Sequence, residues 1–332
     1  MPTQNSPQSS AVPVSGAAAQ YSVVSYGREL GDAYLSAVQQ AVGTVGGRIL
    51  ELENASGDGY VVTKLLVAYD GGIELLRLAV TAAAAALGTA AAGAQSAVVP
   101  SSLLEPARKL LIMDVDSTLI KQEVIELLAA HAGREAEVAA VTEAAMRGEL
   151  DFTQSLHQRV SALAGLPASV INEVGARIEL SDGAEALVKE FLAAGHAVAV
   201  VSGGFSQVLA PLAERLQLTH AKANLLGISD GVLTGTVDGP VVDRAEKARS
   251  LRTWAAGLGI NERHTIAVGD GANDLDMLAA AALGVAFNAK PAVQAAADAV
   301  LNLPNLDVVQ HFVRLRTEPS GPAVQNYPAT PR

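Results

Sequence analysis

The 332-residue chain has no cysteine, which excludes disulfides, thiolate metal sites and thiol nucleophiles. Aromatic residues make up only 4% and charged residues 17%, while 50% are hydrophobic, many of them alanine. That balance excludes wholesale disorder and favours closely packed helices over an aromatic-rich β-sandwich. Basic residues are also scarce, 23 against 34 acidic ones, for a formal net charge of −11. With no Lys- or Arg-rich run, a nucleic-acid partner is not expected, because displacing counterions from phosphate needs a positive footprint. A small anion can still be held where a few basic groups and backbone N–H donors converge. The first residues, MPTQNSPQSSAVPVSGAAAQ, contain no Lys or Arg and no compact apolar segment, so no secretory signal is read and a cytoplasmic protein is expected. The most lipid-like stretch, LAVTAAAAALGTAAAGA from Leu78, is mostly Ala and Gly, and no membrane partner is expected either.

What is present divides the chain. Residues 1–20 and 317–332 are rich in Pro, Ser, Thr and Gly and read as disordered tails. Residues 21–99 read as strand, helix, strand, strand, helix, strand, with Ser56-Gly57-Asp58-Gly59 supplying a hairpin turn and SAVVP a last strand. This βαββαβ order is the ferredoxin-like pattern, and it resembles an ACT domain. The resemblance implies a small α+β module that pairs with a second copy through its sheet edge or helices and takes an amino-acid effector. ACT ligand loops often carry an Asp-x-Pro-Gly turn after the first strand; this chain has Tyr26-Gly27-Arg28-Glu29-Leu30-Gly31 there. A sensing role and a purely structural or dimerising one therefore both stay open.

Residues 100–108 read as a linker. Beyond it, residues 109–316 alternate the apolar runs LLIMD, HAVAVVS, HTIAVGD and LGVAF with helices, the signature of βαβ units and a parallel sheet covered on both faces. About residues 121–180 interrupt the alternation with helical segments, which predicts a helical cap inserted after the first strand. The expected fold class is α/β: a Rossmann-like parallel-sheet core with that cap, preceded by the ferredoxin-like, ACT-like module.

The first three runs each end in a polar cluster: Asp114-Val115-Asp116, then Ser202-Gly203-Gly204, then Gly269-Asp270-Gly271-Ala272-Asn273-Asp274. In open α/β sheets ligands bind beyond the carboxyl ends of the strands, so all three clusters are expected to face one crevice. Period-2 alternation would set Asp114 and Asp116 on one side of one strand, where two close carboxylates need something to offset their repulsion. Taken singly, an Asp pair can cap a helix, Ser-Gly-Gly can be a turn and Lys247 a solvated helix residue. GDGAND lacks the spacing of an EF-hand. The six histidines show no metal-ligand spacing and read as structural or solvated.

The order DxDxT, then (S/T)G, then K, then GDxxND is similar to that of the haloacid dehalogenase superfamily of aspartate-nucleophile phosphatases. Asp114, Asp116 and Thr118 match the first motif, Ser202-Gly203 the second, Lys247 the third, and Gly269-Asp270 with Asn273-Asp274 the fourth. The resemblance implies that Asp114 attacks phosphorus, needing no general base because it is already ionised. It implies that Asp116 is the acid/base, and that Mg²⁺ is bound by Asp114, Asp270 and the backbone carbonyl of Asp116. Ser202, the Gly203 N–H and Lys247 are implied to hold the phosphoryl oxygens, and Asn273, also a substrate-binding residue, to support the metal shell and the loop with Asp274.

The run MRGELDFTQSLHQRV from Met146 and the residue Glu123 in LIKQEVIELLA resemble phosphoserine phosphatases of that superfamily. The resemblance implies O-phospho-L-serine as substrate, serine biosynthesis as setting, Glu123 toward the ammonium, Arg159 toward the carboxylate, and Met146 and Phe152 as apolar walls. An Arg fork suits a carboxylate, and a zwitterion needs contacts of both signs. Read without the resemblance, Glu123 and Arg159 are surface helix charges and Met146 and Phe152 core. Transfer to another alcohol in place of water stays open as an alternative outcome, as does a mainly sensing or scaffolding role for residues 21–99.

Overall fold

The computed structural model describes residues 19–91, 93–146, 149–313 and 315; the side chains of Ala145 and Met146 also lie outside the described set, as do the expected tails apart from Ala19 and Gln20. Those two residues belong to a strand.

The N-terminal part runs β1 (Ala19–Gly27), α1 (Asp32–Thr44), β2 (Arg48–Gly57), β3 (Tyr60–Tyr69), α2 (Ile73–Ala86) and β4 (Gln95–Val99). The strands form an antiparallel sheet in the order β2-β3-β1-β4. The β2–β3 turn is Asp58-Gly59, closed by the Gly57–Tyr60 pair, with Gly59 in the left-handed region at φ +76°. One face of the sheet packs on α1 and α2 through Val23, Val38, Val42, Leu65, Leu76 and Val80. The lipid-like run falls in and just after α2, which at 14 residues is far short of a bilayer span; no described helix is long and apolar enough to cross a membrane.

Within residues 100–108, read as a linker, lies the short helix α3 (Ser101–Leu104), anchored by Leu103, which is fully buried. The C-terminal part then runs β5 (Leu110–Met113), four helices α4 (Val124–Ala132), α5 (Glu135–Met146), α6 (Phe152–Ser161) and α7 (Ser169–Gly175), and α8 (Ala184–Ala193). It continues with β6 (Ala197–Phe205), α9 (Ser206–Arg215), the hairpin β7 (His220–Ser229) and β8 (Val232–Asp238), and α10 (Arg244–Gly257). Last come β9 (Thr265–Gly269), α11 (Leu275–Ala280), β10 (Leu283–Phe287), α12 (Pro291–Ala296), β11 (Ala299–Leu301) and a 3₁₀ turn at Leu306–Phe312.

The seven-stranded sheet has the order β11-β10-β9-β5-β6-β7-β8 and is parallel except for the β7–β8 hairpin. The chain passes to opposite sides of the central β5 to form β6 and β9, so β5 sits at the switch point where a crevice opens. The β7–β8 turn is Asp230-Gly231 with both residues at positive φ, the mirror-image turn that matches strand twist. The three-residue edge strand β11 had no readable pattern.

The two sheets are joined by polar contacts, most of them partly buried. The Tyr26 hydroxyl donates to the Val300 carbonyl of β11 at 2.6 Å, Asn302 N–H donates to Gln95 Oε1 at 2.8 Å, and Arg77 pairs with Asp298 at 2.6 Å. The Tyr60 hydroxyl donates to Asp307 at 2.8 Å and its ring meets His311 edge-on at 6.0 Å.

Candidate active site

Strand β5 is buried throughout, with Leu111 and Met113 in one core and Leu110 and Ile112 in the other, against α10–α12. Asp114 continues the second face. Its backbone is still extended (φ −67°, ψ 167°), and its N–H donates to Val268 of β9 at 3.0 Å. On that face it meets α10, whose buried stripe carries Lys247, Leu251 and Ala255 at one-turn spacing. Asp243 caps this helix by accepting from Glu246 N–H at 2.7 Å, which fixes Lys247 in the first turn. The Lys247 ammonium lies 2.7 Å from Asp114 Oδ1 and 2.7 Å from Asp274 Oδ1, and none of the three side chains is open to solvent.

Burial pushes the Asp114 carboxyl well above its ordinary pKa; Asp274 adds to the rise, and Lys247 opposes it. For Lys247, burial works to lower the pKa, but the two carboxylates outweigh it and hold the ammonium above its ordinary value. Asp270 is pushed up to about 6 by burial and then by Asp274, while the Thr118 hydroxyl, donating to Asp270 Oδ1 at 3.1 Å, works the other way. Asp114, Asp270 and Asp274 each offer an oxygen within 4.8 Å of the others, a cluster that could hold a metal ion.

The strand stops at Met113, so Asp116 does not reach the crevice by strand alternation as the sequence suggested. The chain turns: Asp116 is extended (φ −62°, ψ 135°) and Ser117 left-handed (φ 54°, ψ 5°). The turn gives Asp116 its own surroundings. Its Oδ1 accepts from Val124 N–H at 2.9 Å and its Oδ2 from the Ser202 hydroxyl at 3.0 Å. Burial raises the pKa of Asp116, and these hydrogen bonds oppose the rise. Its carboxylate is not one of the three clustered above; only its backbone carbonyl was expected there.

Strand β6 pairs with β7 from Ala199–His220 to Val201–Lys222, then departs and rejoins at Phe205–Asn224. Residues 202–204 are thereby freed to face the crevice. A β-carbon at Gly203 would lie 2.8 Å from the Phe152 ring of α6, and one at Gly204 would lie 2.6 Å from Asp116 Oδ2. A side chain at either position would displace the cap aromatic or the Asp116 carboxylate from that space. Asn273 sits on the same side, its amide nitrogen 3.9 Å from the Gly203 β-carbon position. The sequence reading missed Asn224, a buried amide that donates to the Gly203 carbonyl at 2.8 Å and accepts from Val242 N–H at 2.7 Å. Asn is depleted in strands, and that was the available signal.

Above the crevice, α4–α7 form the helical layer expected between β5 and β6. Glu123 is half-buried at the start of α4; burial, then the Asp116 charge, pushes its pKa up to about 7. Arg159 is half-buried on α6, its pKa lowered by burial against the charges of Glu123, Glu126 and Asp116. Both differ from the solvated surface charges that isolated helix positions would suggest. Phe152 starts α6 behind the capping box of Asp151 and Gln154. The Met146 side chain lies outside the described residues.

Residues 111–279 match the haloacid dehalogenase-like hydrolase family. A phosphoserine phosphatase of Streptomyces coelicolor is 55% identical over 260 residues, 78% of this chain, and the chain spans only 62% of that relative's length. A solved, unliganded probable phosphoserine phosphatase from Vibrio cholerae is 36% identical with a TM-score of 0.70, covering 88% of this chain and 86% of its own. A solved phospho-aspartyl intermediate analogue of phosphoserine phosphatase is 42% identical with a TM-score of 0.60, covering 62% of this chain and 99% of its own.

Proposed function

We infer the reaction from the premise that this chain belongs to the haloacid dehalogenase-like hydrolase family, and we propose that it hydrolyses O-phospho-L-serine to L-serine and phosphate. The observation that carries the proposal is the buried Asp114–Lys247–Asp274 centre at the strand ends, with Glu123 and Arg159 above it on the cap. The first is suited to a phosphoryl group and the second pair to a zwitterion.

In the proposed mechanism a carboxylate oxygen of Asp114 bonds to phosphorus as the bond from phosphorus to the serine oxygen breaks. Asp116, with its raised pKa, gives its proton to the departing alkoxide. Asp116 then takes a proton from water, whose oxygen attacks phosphorus and releases phosphate from Asp114. Ser202, the Gly203 N–H, Lys247 and Asn273 hold the phosphoryl oxygens as charge redistributes. Glu123 takes the substrate ammonium and Arg159 its carboxylate, while Phe152 excludes water and Met146 is assigned the same role.

The carboxylate cluster fits a hard divalent cation: its donors are all oxygen, and burial, then the neighbouring Asp274, raises the pKa of both Asp114 and Asp270, a cost that a cation offsets. We assign Mg²⁺ to Asp114, Asp270 and the backbone carbonyl of Asp116. When bound, it neutralises those carboxylates and a phosphoryl oxygen. Asp274 supports the site through Lys247 and through Gly271 N–H, which donates to it at 3.0 Å.

The N-terminal module is proposed as the place where two copies pair and an amino-acid effector acts. Its edge strand β2 is exposed along most of its length and carries Ile49, Leu50 and Leu52 in the open. Sedimentation of the full chain against its Leu52→Lys variant, which places a charge on that edge strand, tests the pairing: loss of the dimer is expected, and an unchanged dimer would overturn the assignment to this edge.

The substrate assignment is tested by steady-state phosphate release from a panel of phosphate monoesters. Phosphoserine is expected to have the highest kcat/KM; a clear preference for an ester without an amino-acid headgroup would overturn the assignment.

A further inference from the structure

The turn after β5 contains a residue that the proposed chemistry leaves unused. Ser117 is left-handed (φ 54°, ψ 5°), a conformation that Gly and Asn adopt far more readily than Ser. A serine there calls for a reason in its hydroxyl, and the structure supplies one: Ser117 Oγ donates to Glu123 Oε1 at 2.7 Å. The Ser117 N–H also donates to the Gln122 carbonyl, at 3.2 Å, so the turn folds back on the residue preceding Glu123.

Glu123 itself occupies the N-cap position of α4, where a side chain ordinarily turns back onto the helix's own free N–H groups. It makes no such bond. The first of those N–H groups, on Val124, is taken by Asp116 Oδ1 at 2.9 Å. Asp116 thus ties down the start of α4, and the Glu123 carboxylate, not bound to its own helix, has one of its two oxygens fixed by Ser117.

We propose that Ser117 is a specificity-positioning residue: its hydroxyl holds the Glu123 carboxylate in place for an ammonium group, leaving the second oxygen to receive it. The inference rests on the reading of Glu123 as the ammonium contact. It adds that selectivity for an amino-acid headgroup is set partly from within the nucleophile's own turn, six residues earlier in the chain.

The test compares Ser117→Gly, which relieves the left-handed backbone and deletes the hydroxyl, with Ser117→Asn, which keeps both the conformation and a donor. Each is assayed on phosphoserine and on an aryl phosphate, which has no ammonium. For Ser117→Gly the KM for phosphoserine is expected to rise about tenfold or more, as for loss of a hydrogen bond to a charged group. The loss on the aryl ester should be several-fold smaller, and Ser117→Asn should recover part of the phosphoserine KM. A melting temperature at or above that of the unaltered protein is expected for Ser117→Gly. Equal losses on both esters, a phosphoserine KM within twofold of the unaltered protein, or a lowered melting temperature with loss of all activity would each overturn the proposal and leave Ser117 a structural turn. Failure of the unaltered protein to turn over phosphoserine would instead sink the substrate assignment.

Discussion

Lys247 Nζ stands 2.7 Å from Asp114 Oδ1 in an ion pair withdrawn from water, and the lysine is shared, since Asp274 lies equally close. One buried cation thus serves two buried carboxylates. Lys247→Met should leave both uncompensated and destabilise the fold by about 3–5 kcal/mol, read from the urea midpoint. A shift under 1 kcal/mol would mean that water or another group already screens the carboxylates.

Asp114→Asn keeps the shape of the side chain but removes its nucleophilic charge. Phosphate release should fall by a factor on the order of 10³ or more while the protein stays folded. Retained turnover would remove the nucleophile assignment.

Arg159→Ala and Glu123→Gln each delete one contact to the proposed zwitterion and none to the phosphoryl group. Each should cost about ten- to a hundredfold in kcat/KM on phosphoserine, well beyond the cost on an aryl phosphate. Equal losses on both substrates would argue against headgroup recognition.

Chelation should abolish phosphate release, and added Mg²⁺ should restore it. The same titration followed by melting temperature should show stabilisation, because a cation held by Asp114 and Asp270 binds the folded state and relieves a crowding of carboxylates that exists only there. Turnover untouched by chelator would exclude the metal assignment.

His311 gives a pH dependence separate from the active site. Burial, and then the charge of Lys64, lower its pKa from 6.5 to about 4. Below 6.5 the unfolded chain takes up a proton that the folded one refuses until about 4, so stability should fall as pH drops across that window. His311→Phe, which keeps a ring against Tyr60, should flatten that part of the stability curve. An unchanged slope would assign the effect to other groups.

The strand-end clusters were legible because each is a short polar run directly following a strongly apolar one, and parallel strands bring such ends together. Lys247 could also have been placed inside from its helical spacing to Leu251 and Ala255. The path to Asp116 was not legible, since the end of β5 at Met113 and the left-handed Ser117 are decided by the packing of the cap entry, which local propensity does not record. Linker chemistry at Pro100-Ser101-Ser102 likewise hid α3, which is anchored by Leu103 and partly by Leu104. The contacts of Tyr26 and Tyr60 with residues roughly 250 or more positions away leave no trace in either segment's own pattern.

The cover that Tyr26, Arg77 and Gln95 place over β11 bears on how the protein can be handled. Strand β11 is the terminal strand of the larger sheet, and the smaller sheet lies against it like a lid on adhesive tape. Trimming the chain to its catalytic portion would bare a sticky border along which molecules could zip together. Poor solubility of such a fragment would then reflect its uncovered rim and not damage to its chemistry.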